Sequence, residues 1–279
     1  MTELAARPTT LDGEIIRSRR QCHMDEIPEG RKVVLALGAG VHSVGLLLWW
    51  VLVLKRPLDA VIFANTGEEP MRVYRVVQWV RRFCGIHGIL FKEVRHKDGK
   101  RLADAYTEQQ AIPYESQRSC TDNFKLRPQR AFLKSLGWKE IGVVTLIGYA
   151  AHEFGRVKDS DKLWSINCYP MVDAGFTTGD CLETIIEHWD GPLVGRSLCM
   201  GCPHGGRAWL YETWRDHPQD FARYERMEKA GRNYPEDTLL KGTTLEALRL
   251  AWEQQEHLPL AERDLSHACL GAAAAGCGT

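Results

Sequence analysis

Four short apolar runs constrain this chain more than any other feature: 31–37 (RKVVLAL), 58–64 (LDAVIFA), 89–94 (ILFKEV) and 141–147 (IGVVTLI). They are strand-length, and most lack the polar alternation of a half-solvated strand. Between them lie stretches with helical spacing. One begins near Ser43, and another runs from Pro70, which suits a first helical turn, to about Cys84. Strands apolar on both faces need cover on both faces, and helices alternating with them provide it. The expected fold is α/β, with a parallel sheet covered by helices on each side.

From about residue 160 the pattern changes. Residues 161–170 read as irregular, and 177–188 as a helix with Thr177 as N-cap and Asp180 in its first turn. A Gly/Pro-rich loop, a Cys-x-x-Cys pair, aromatic helical stretches at 208–214 and 218–228 and a helix at 245–255 follow. The tail CLGAAAAGCGT is low in complexity and is expected to be mobile. The second half is thus a mostly helical, cysteine-containing region.

Composition narrows the function classes. The 279 residues include 36 basic and 36 acidic side chains, a net charge of zero, so no global field attracts polyanions. A nucleic-acid partner would need a local basic patch. The longest apolar run, 44–54, has 11 residues against the roughly 20 that span a bilayer. It reads as a buried helix, and no membrane partner is expected. The N-terminus lacks an apolar signal-peptide core, which points to the cytoplasm, where nine cysteines are thiols or metal ligands rather than disulfides.

The turn after the first run, LALGAGVHSVGLLL, sets small residues between a strand and a helix. Backbone N–H groups there converge on one spot and the helix dipole adds to them, which makes an anion site. The segment fits neither the Walker nor the dinucleotide pattern. The first, second and fourth runs end at Gly38-Ala39-Gly40, Thr66-Gly67-Glu68 and Gly148, where open parallel sheets collect ligands.

Cys199-Met200-Gly201-Cys202-Pro203 places two thiols on one turn, and Cys120 lies 79 residues upstream. The Cys-x-x-Cys spacing suits a tetrahedral metal or an iron–sulfur cluster, and a structural zinc site or a redox dithiol stays open. Cys22, Cys84, Cys181 and Cys269 read as buried or inert thiols. Arg118, Lys125, Arg127 and Arg130 flank Cys120, where guanidinium and ammonium groups can hold phosphate or sulfate. The basic stretch 92–101 reads as a solvated loop, and Trp209 and Trp214 as core.

GAGVHS, NTGEEP, SCTDNFKLRP, GYAAHEFGR, YPMVDAGFT and LCMGCP occur in an order that resembles the phosphoadenosine phosphosulfate (PAPS) reductase-like family of the PP-loop superfamily, over roughly residues 31–230. The likeness is to its short bacterial and phage members. The superfamily includes ATP pyrophosphatases and tRNA thiolases. The resemblance implies a Rossmann-like sheet and an adenine nucleotide (ATP, adenylylsulfate or PAPS) held by Gly38, Ala39, Gly40, Val41, His42, Ser43, Thr66, Gly67, Glu68 and Gly148. It implies charge neutralisation and orientation by Lys125, Arg127, Glu153 and Arg156, and sulfur transfer or reduction of adenylylated sulfate. Metal ligands would be Cys120, Cys199 and Cys202, holding a 4Fe–4S cluster with zinc as the alternative; one iron would stay open to sulfide or substrate, or His204, Cys168 or Ser119 would complete the site, His204 first if the metal is zinc.

Two positions depart from that pattern. His42 stands where the superfamily loop carries Asp, and Ser119 where adenylylsulfate reductases carry the first of two adjacent cysteines. Cys277 shares only a Cys-Gly and an end position with the nucleophilic tail of PAPS reductases. Expected partners are the nucleotide, a tRNA or DNA acceptor, and a sulfur- or electron-donor protein. The expected organisation is an arm at 1–30, a nucleotide-binding domain at 31–160, a helical region with the cysteine pair at 161–235, and a C-terminal helix and tail at 236–279. The competing class is a nucleic-acid-binding protein with a structural zinc and a degenerate nucleotide pocket.

Overall fold

A computed structural model describes residues 20–114 and 118–256. In chain order its regular elements are β1 (Gln21–Cys22), β2 (Lys32–Leu37), α1 (Val41–Leu48), β3 (Ala60–Ala64), α2 (Met71–Ile86), β4 (Leu90–Val94), α3 (Leu102–Glu108), α4 (Ser119–Thr121), α5 (Arg127–Ser135), α6 (Trp138–Ile141), β5 (Val143–Leu146), β6 (Ser165–Cys168), α7 (Pro170–Asp173), α8 (Thr178–His188), α9 (Gly206–Asp216), α10 (Pro218–Gly231) and α11 (Leu245–Glu256). The chain forms two compact units that interleave in sequence. Among the described residues, the first takes 20–64, 71–94 and 129–197, and the second takes 65–70, 95–114, 118–128 and 198–256.

The first unit holds one six-stranded parallel sheet, ordered β1-β6-β5-β2-β3-β4. Every residue of β3 is buried, as an uninterrupted AVIFA run requires. From β2 the chain proceeds to β3 on one side, while β5 pairs with β2 on the other. The strand order therefore reverses between β2 and β5, the position where open α/β sheets form a ligand crevice at their carboxyl ends.

The apolar run at 44–54 is a buried helix over most of its length. It continues α1 into a π-helical turn, Trp49–Val53, and Leu46, Leu47, Leu48 and Trp50 are sealed from solvent. A Cβ added at Gly45 would come within 2.9 Å of the Cys181 Cβ, so glycine lets α1 lie directly on α8. Thr177 caps α8 as expected: its hydroxyl accepts the Asp180 N–H, and the Asp180 carboxylate accepts the Thr177 N–H at 2.7 Å.

Residues 161–170 are not irregular throughout, because Ser165–Cys168 forms β6. Two of its four residues are polar and gave no apolar run; its pairing with β5 makes it a strand. Likewise β1, within the expected arm, pairs with β6 through Gln21 and Asn167.

The second unit is helical, built on α3, α4, α9, α10 and α11 around Phe124, Met200, Leu210, Phe221, Tyr224 and Met227. Buried Glu228 accepts the N–H groups of Leu239 and Leu245, both at 2.7 Å, and so caps the start of α11. Among the described residues, no helix is long and apolar enough to cross a membrane. Cys269, Cys277 and the low-complexity tail lie outside the described residues.

Candidate active site

In the first unit, the loop from β2 to α1 carries Ala39 in the left-handed region, at φ 59°, and Gly40 as the extended N-cap. The Gly38 N–H donates to Ser43 Oγ at 3.2 Å, and Ser43 Oγ donates to the Gly40 carbonyl at 3.2 Å. The Ser43 hydroxyl thus closes the loop on itself. The first helical bond runs from Val44 N–H to the Gly40 carbonyl at 3.0 Å. The amides of Val41, His42 and Ser43 precede it, at the end of a helix that favours anions.

Two glycines are fixed by packing here. A Cβ on Gly148, just after β5, would lie 3.0 Å from the His42 carbonyl and the Ser43 Cα. One on Gly40 would lie 2.5 Å from Ser197 Oγ, so that glycine serves the fold whether or not phosphate approaches it.

His42 bridges two partners. Its Nδ1 lies 2.8 Å from Glu153 Oε2, and its Nε2 lies 2.9 Å from Thr178 Oγ1. Glu153 sits on a short 3-10 turn, Ala151–Arg156, where its carboxylate also accepts the Ala150 N–H at 3.1 Å and pairs with Arg156. Burial works against the Glu153 charge, but His42, the Ala150 amide and Arg156 outweigh it and hold the carboxyl down at about 2. The Arg156 guanidinium stacks 4.3 Å from the Tyr149 ring centre. Gly38–Ser43, Gly148, Glu153 and Arg156 therefore gather in one unit, and a carboxylate faces the position where the resembled loop carries its own.

In the second unit, the Cys199–Cys202 turn is pinned on several sides. The Met200 N–H donates to the Glu68 carbonyl at 2.8 Å, and the Cys202 N–H to the Cys199 carbonyl at 2.9 Å. Trp209 Nε1 donates to the Cys199 carbonyl at 2.9 Å, and the Thr213 hydroxyl to the Met200 carbonyl at 2.8 Å. Trp209 is buried, as expected of core, and also holds this turn.

The Thr66 hydroxyl lies 3.3 Å from Cys199 Sγ and donates to Glu69 Oε1 at 2.8 Å. Thr66 has one hydroxyl proton, so with that proton on Glu69 the Cys199 thiol is the donor to Thr66. Burial pushes the Cys199 thiol up to about 12 and raises that of Cys202 as well. Lys125, in the π-helical turn Asp122–Leu126, is half-buried. Burial opposes its charge, yet Cys199, Glu69, Cys202 and Cys120 lie within electrostatic reach and keep its pKa above the ordinary value.

Glu68 is fully buried. Its carboxylate accepts Arg101 Nη2 at 3.1 Å and the Ala103 N–H at 3.2 Å, and burial raises it to about 7 against the pull of Arg101. Gly67, at φ 79°, sits where a Cβ would fall 2.7 Å from the Arg101 Cγ. Arg127 is largely exposed and pairs with Asp122 at 2.6 Å, and Arg130 pairs with Asp161. The Ser119 hydroxyl bonds the Tyr106 hydroxyl at 2.7 Å, and Cys168 is buried in β6.

Sequence reasoning missed Glu69, Thr213 and Tyr224. The doubled Glu in NTGEE was the one available signal for the first; nothing in the spacing marked the other two.

Cys120, Cys199 and Cys202 all bear electrostatically on Lys125, and thiols are the donor type that a soft metal or an iron–sulfur cluster takes. Among the described residues, no three His, Cys, Asp or Glu side chains stand in a ligating group, and Cys199 is bonded to Thr66 instead.

No family model and no curated protein matches the chain. Solved structures similar to it include the phosphate complex of PAPS reductase from Candida auris, at 15% identity and a TM-score of 0.41, covering 58% of this chain and 74% of that one. Another is the U34-tRNA thiolase NcsA from Methanococcus maripaludis with its 4Fe–4S cluster, at 15% identity and a TM-score of 0.35, covering 81% of this chain and 82% of that one. Both likenesses are weak, and the functional reading rests on this chain's own side chains.

Proposed function

We propose that this chain is a nucleotide-dependent enzyme of sulfur chemistry, of the PP-loop, PAPS reductase-like kind. In this reading, the α1 N-terminus with Gly38–Ser43 and Gly148 binds the phosphate or sulfate of an adenine nucleotide. Cys120, Cys199 and Cys202 hold a 4Fe–4S cluster. The observation that carries it is the Cys199–Cys202 turn, fixed by hydrogen bonds from Met200, Trp209 and Thr213 and near enough, with Cys120, to bear electrostatically on Lys125.

Each unit has its own part in the chemistry. The amides of Val41, His42 and Ser43 stabilise negative charge that develops on a bound phosphate or sulfate, and they need no reorganisation to do so. Glu153 holds His42 and Arg156 in place, so the latter is oriented rather than freely solvated. Lys125 offsets the negative charge of the thiolates once a metal replaces their protons. A cluster held by three protein thiolates supplies an iron position open to sulfide or substrate. The reaction classes are sulfur insertion into an adenylate-activated tRNA or DNA, and reductive cleavage of an adenylylated sulfate.

The test is anaerobic purification with iron, sulfide and zinc analysis, followed by calorimetry with ATP, adenylylsulfate and PAPS. The reading expects about four irons per chain, as that cluster type requires, and binding of at least one of the three nucleotides. Colourless, iron-free protein holding one tight zinc would overturn the cluster. Failure to bind any of the three would overturn the nucleotide site.

A further inference from the structure

Three segments of the first unit bring a hydroxyl, an imidazole and a carboxylate into one hydrogen-bonded line. Thr178 Oγ1 lies 2.9 Å from His42 Nε2, and His42 Nδ1 lies 2.8 Å from Glu153 Oε2. His42 comes from the start of α1, Glu153 from the turn after β5, and Thr178 from the first position of α8. Both contacts fall within the roughly 2.6–3.2 Å at which a base reaches a nucleophile and its own orienting group.

Close packing holds the three in place. Gly45 and Cys181 lie three residues, about one helical turn, beyond His42 and Thr178. A Cβ on Gly45 would come within 3.1 Å of the Cys181 Cα, so the two helices touch one turn beyond the His42–Thr178 contact. A Cβ on Gly148 would lie 3.0 Å from the His42 carbonyl, which ties the exit of β5, and with it the Glu153 turn, to the same loop.

The carboxylate sets the direction of the line. Held down at about 2, Glu153 is ionised at neutral pH and can only accept, so a neutral His42 carries its proton on Nδ1. Nε2 then presents a lone pair, and the Thr178 hydroxyl is the donor to it. The other titratable groups around this line are His152, whose ring stands edge-on 6.0 Å from that of His42, Arg156, paired with Glu153, and Asp180, bonded to Thr177. Thr177 and Gly179, on either side of Thr178, are exposed, which leaves the hydroxyl end open to a ligand. The Asp180 and Cys181 N–H groups bond to Thr177, and the Thr178 and Gly179 amides precede them at the start of the helix.

We propose that Thr178 is a nucleophile for acyl transfer, with His42 as its general base and Glu153 as the residue that positions His42. The substrate class is a carboxylic ester. Thr178 Oγ bonds to the ester carbonyl carbon while His42 Nε2 takes the hydroxyl proton. His42 passes that proton to the departing alcohol oxygen as its bond to the carbonyl carbon breaks, which leaves an acyl-threonine. Water then attacks with His42 as base, releasing the acid and restoring the hydroxyl. The amides at the start of α8 donate to the oxyanion that forms on the carbonyl oxygen. The reaction involves neither the cysteines nor a nucleotide.

The probe is p-nitrophenyl acetate, given to full-length wild type and to the Thr178→Val, Thr178→Ser and His42→Gln variants. Release of p-nitrophenol is followed, and acetyl groups in acid-quenched samples are located by peptide mass spectrometry. Wild type should acquire acetyl on Thr178. Release should fall roughly a hundredfold in Thr178→Val and His42→Gln, the share that general-base catalysis carries, and Thr178→Ser should retain it. Nitrogen-15 NMR of wild type should place the proton of neutral His42 on Nδ1. Equal release from wild type and Thr178→Val would overturn the proposal, and so would a neutral His42 with its proton on Nε2. The NMR reading uses wild type alone, so it decides even where a variant fails to fold.

Discussion

The Thr66 hydroxyl and the Cys199 thiol, 133 residues apart in sequence, lie 3.3 Å apart in the second unit. The same hydroxyl donates to buried Glu69, so one threonine couples a candidate metal ligand to a carboxylate. Removing it should therefore be felt at both ends. Thr66→Val keeps the shape but leaves Glu69 short of a donor, a loss of about 1–3 kcal/mol. Denaturant unfolding should register that loss, and Thr66→Ser should recover most of it. A valine variant as stable as wild type would show that the bond contributes nothing.

Glu153 sets an acid limit on the first unit. Its folded-state pKa, about 2, is below its ordinary value of 4.5, so its stabilising contribution is complete above about 4.5 and is lost as pH falls towards 2. A shift of that size corresponds to roughly 3 kcal/mol. Glu153→Gln should lower stability at neutral pH and flatten the pH dependence between those values. Parallel wild-type and variant stability curves across that window would contradict the assignment.

Glu68 has the opposite sign. Its folded-state pKa, about 7, is above the ordinary 4.5, so between those values the native state binds more protons than the unfolded chain. Its contribution to stability declines as pH rises from 4.5 to 7 and is level beyond. Glu68→Gln should remove that decline. A wild-type slope that survives the substitution would assign the titration to another group.

Gly201 is a site of tight exclusion. A methyl group there enters the Tyr224 ring, which is buried on every side, so Gly201→Ala should cost at least 1–3 kcal/mol from overpacking. Thermal unfolding should show the loss. Gly85, where an added Cβ meets nothing within 4 Å, is the control, and Gly85→Ala should not lower the unfolding temperature.

The cysteines should divide into two groups. Cys120→Ser, Cys199→Ser and Cys202→Ser should each abolish iron retention and activity, whereas Cys277→Ser should keep most of both. A hundredfold drop in rate on Cys277→Ser alone, about 2.7 kcal/mol of transition-state stabilisation, would instead favour a nucleophilic tail.

The sheet was legible because β2, β3 and β5 are apolar runs that end in glycine turns, and such runs have few alternatives to a covered sheet. β6 was not, since SINC has no apolar signature and its strand character comes from its neighbour. The Cys-x-x-Cys pair stands out by its spacing, but the contact of Thr66 with it does not. The place of Thr66 after β3 suggested a phosphate turn, and spacing does not say that its hydroxyl faces Cys199. His42 and Glu153 posed the same difficulty, since a side-chain contact across 111 positions leaves no local pattern.

The interleaving of the two units has a practical side. Thr66, Glu68 and Glu69 reach the second unit on an excursion of six residues, 65–70, between stretches of the first. No single cut in the chain separates one unit whole from the other. A fragment starting at residue 95 would carry all three candidate metal ligands, yet it would lack the threonine, both acidic side chains and the carbonyl that anchors Met200. Truncation is therefore a poor way to isolate the thiol site, and swapping the six-residue insert is a sharper way to reprogram it.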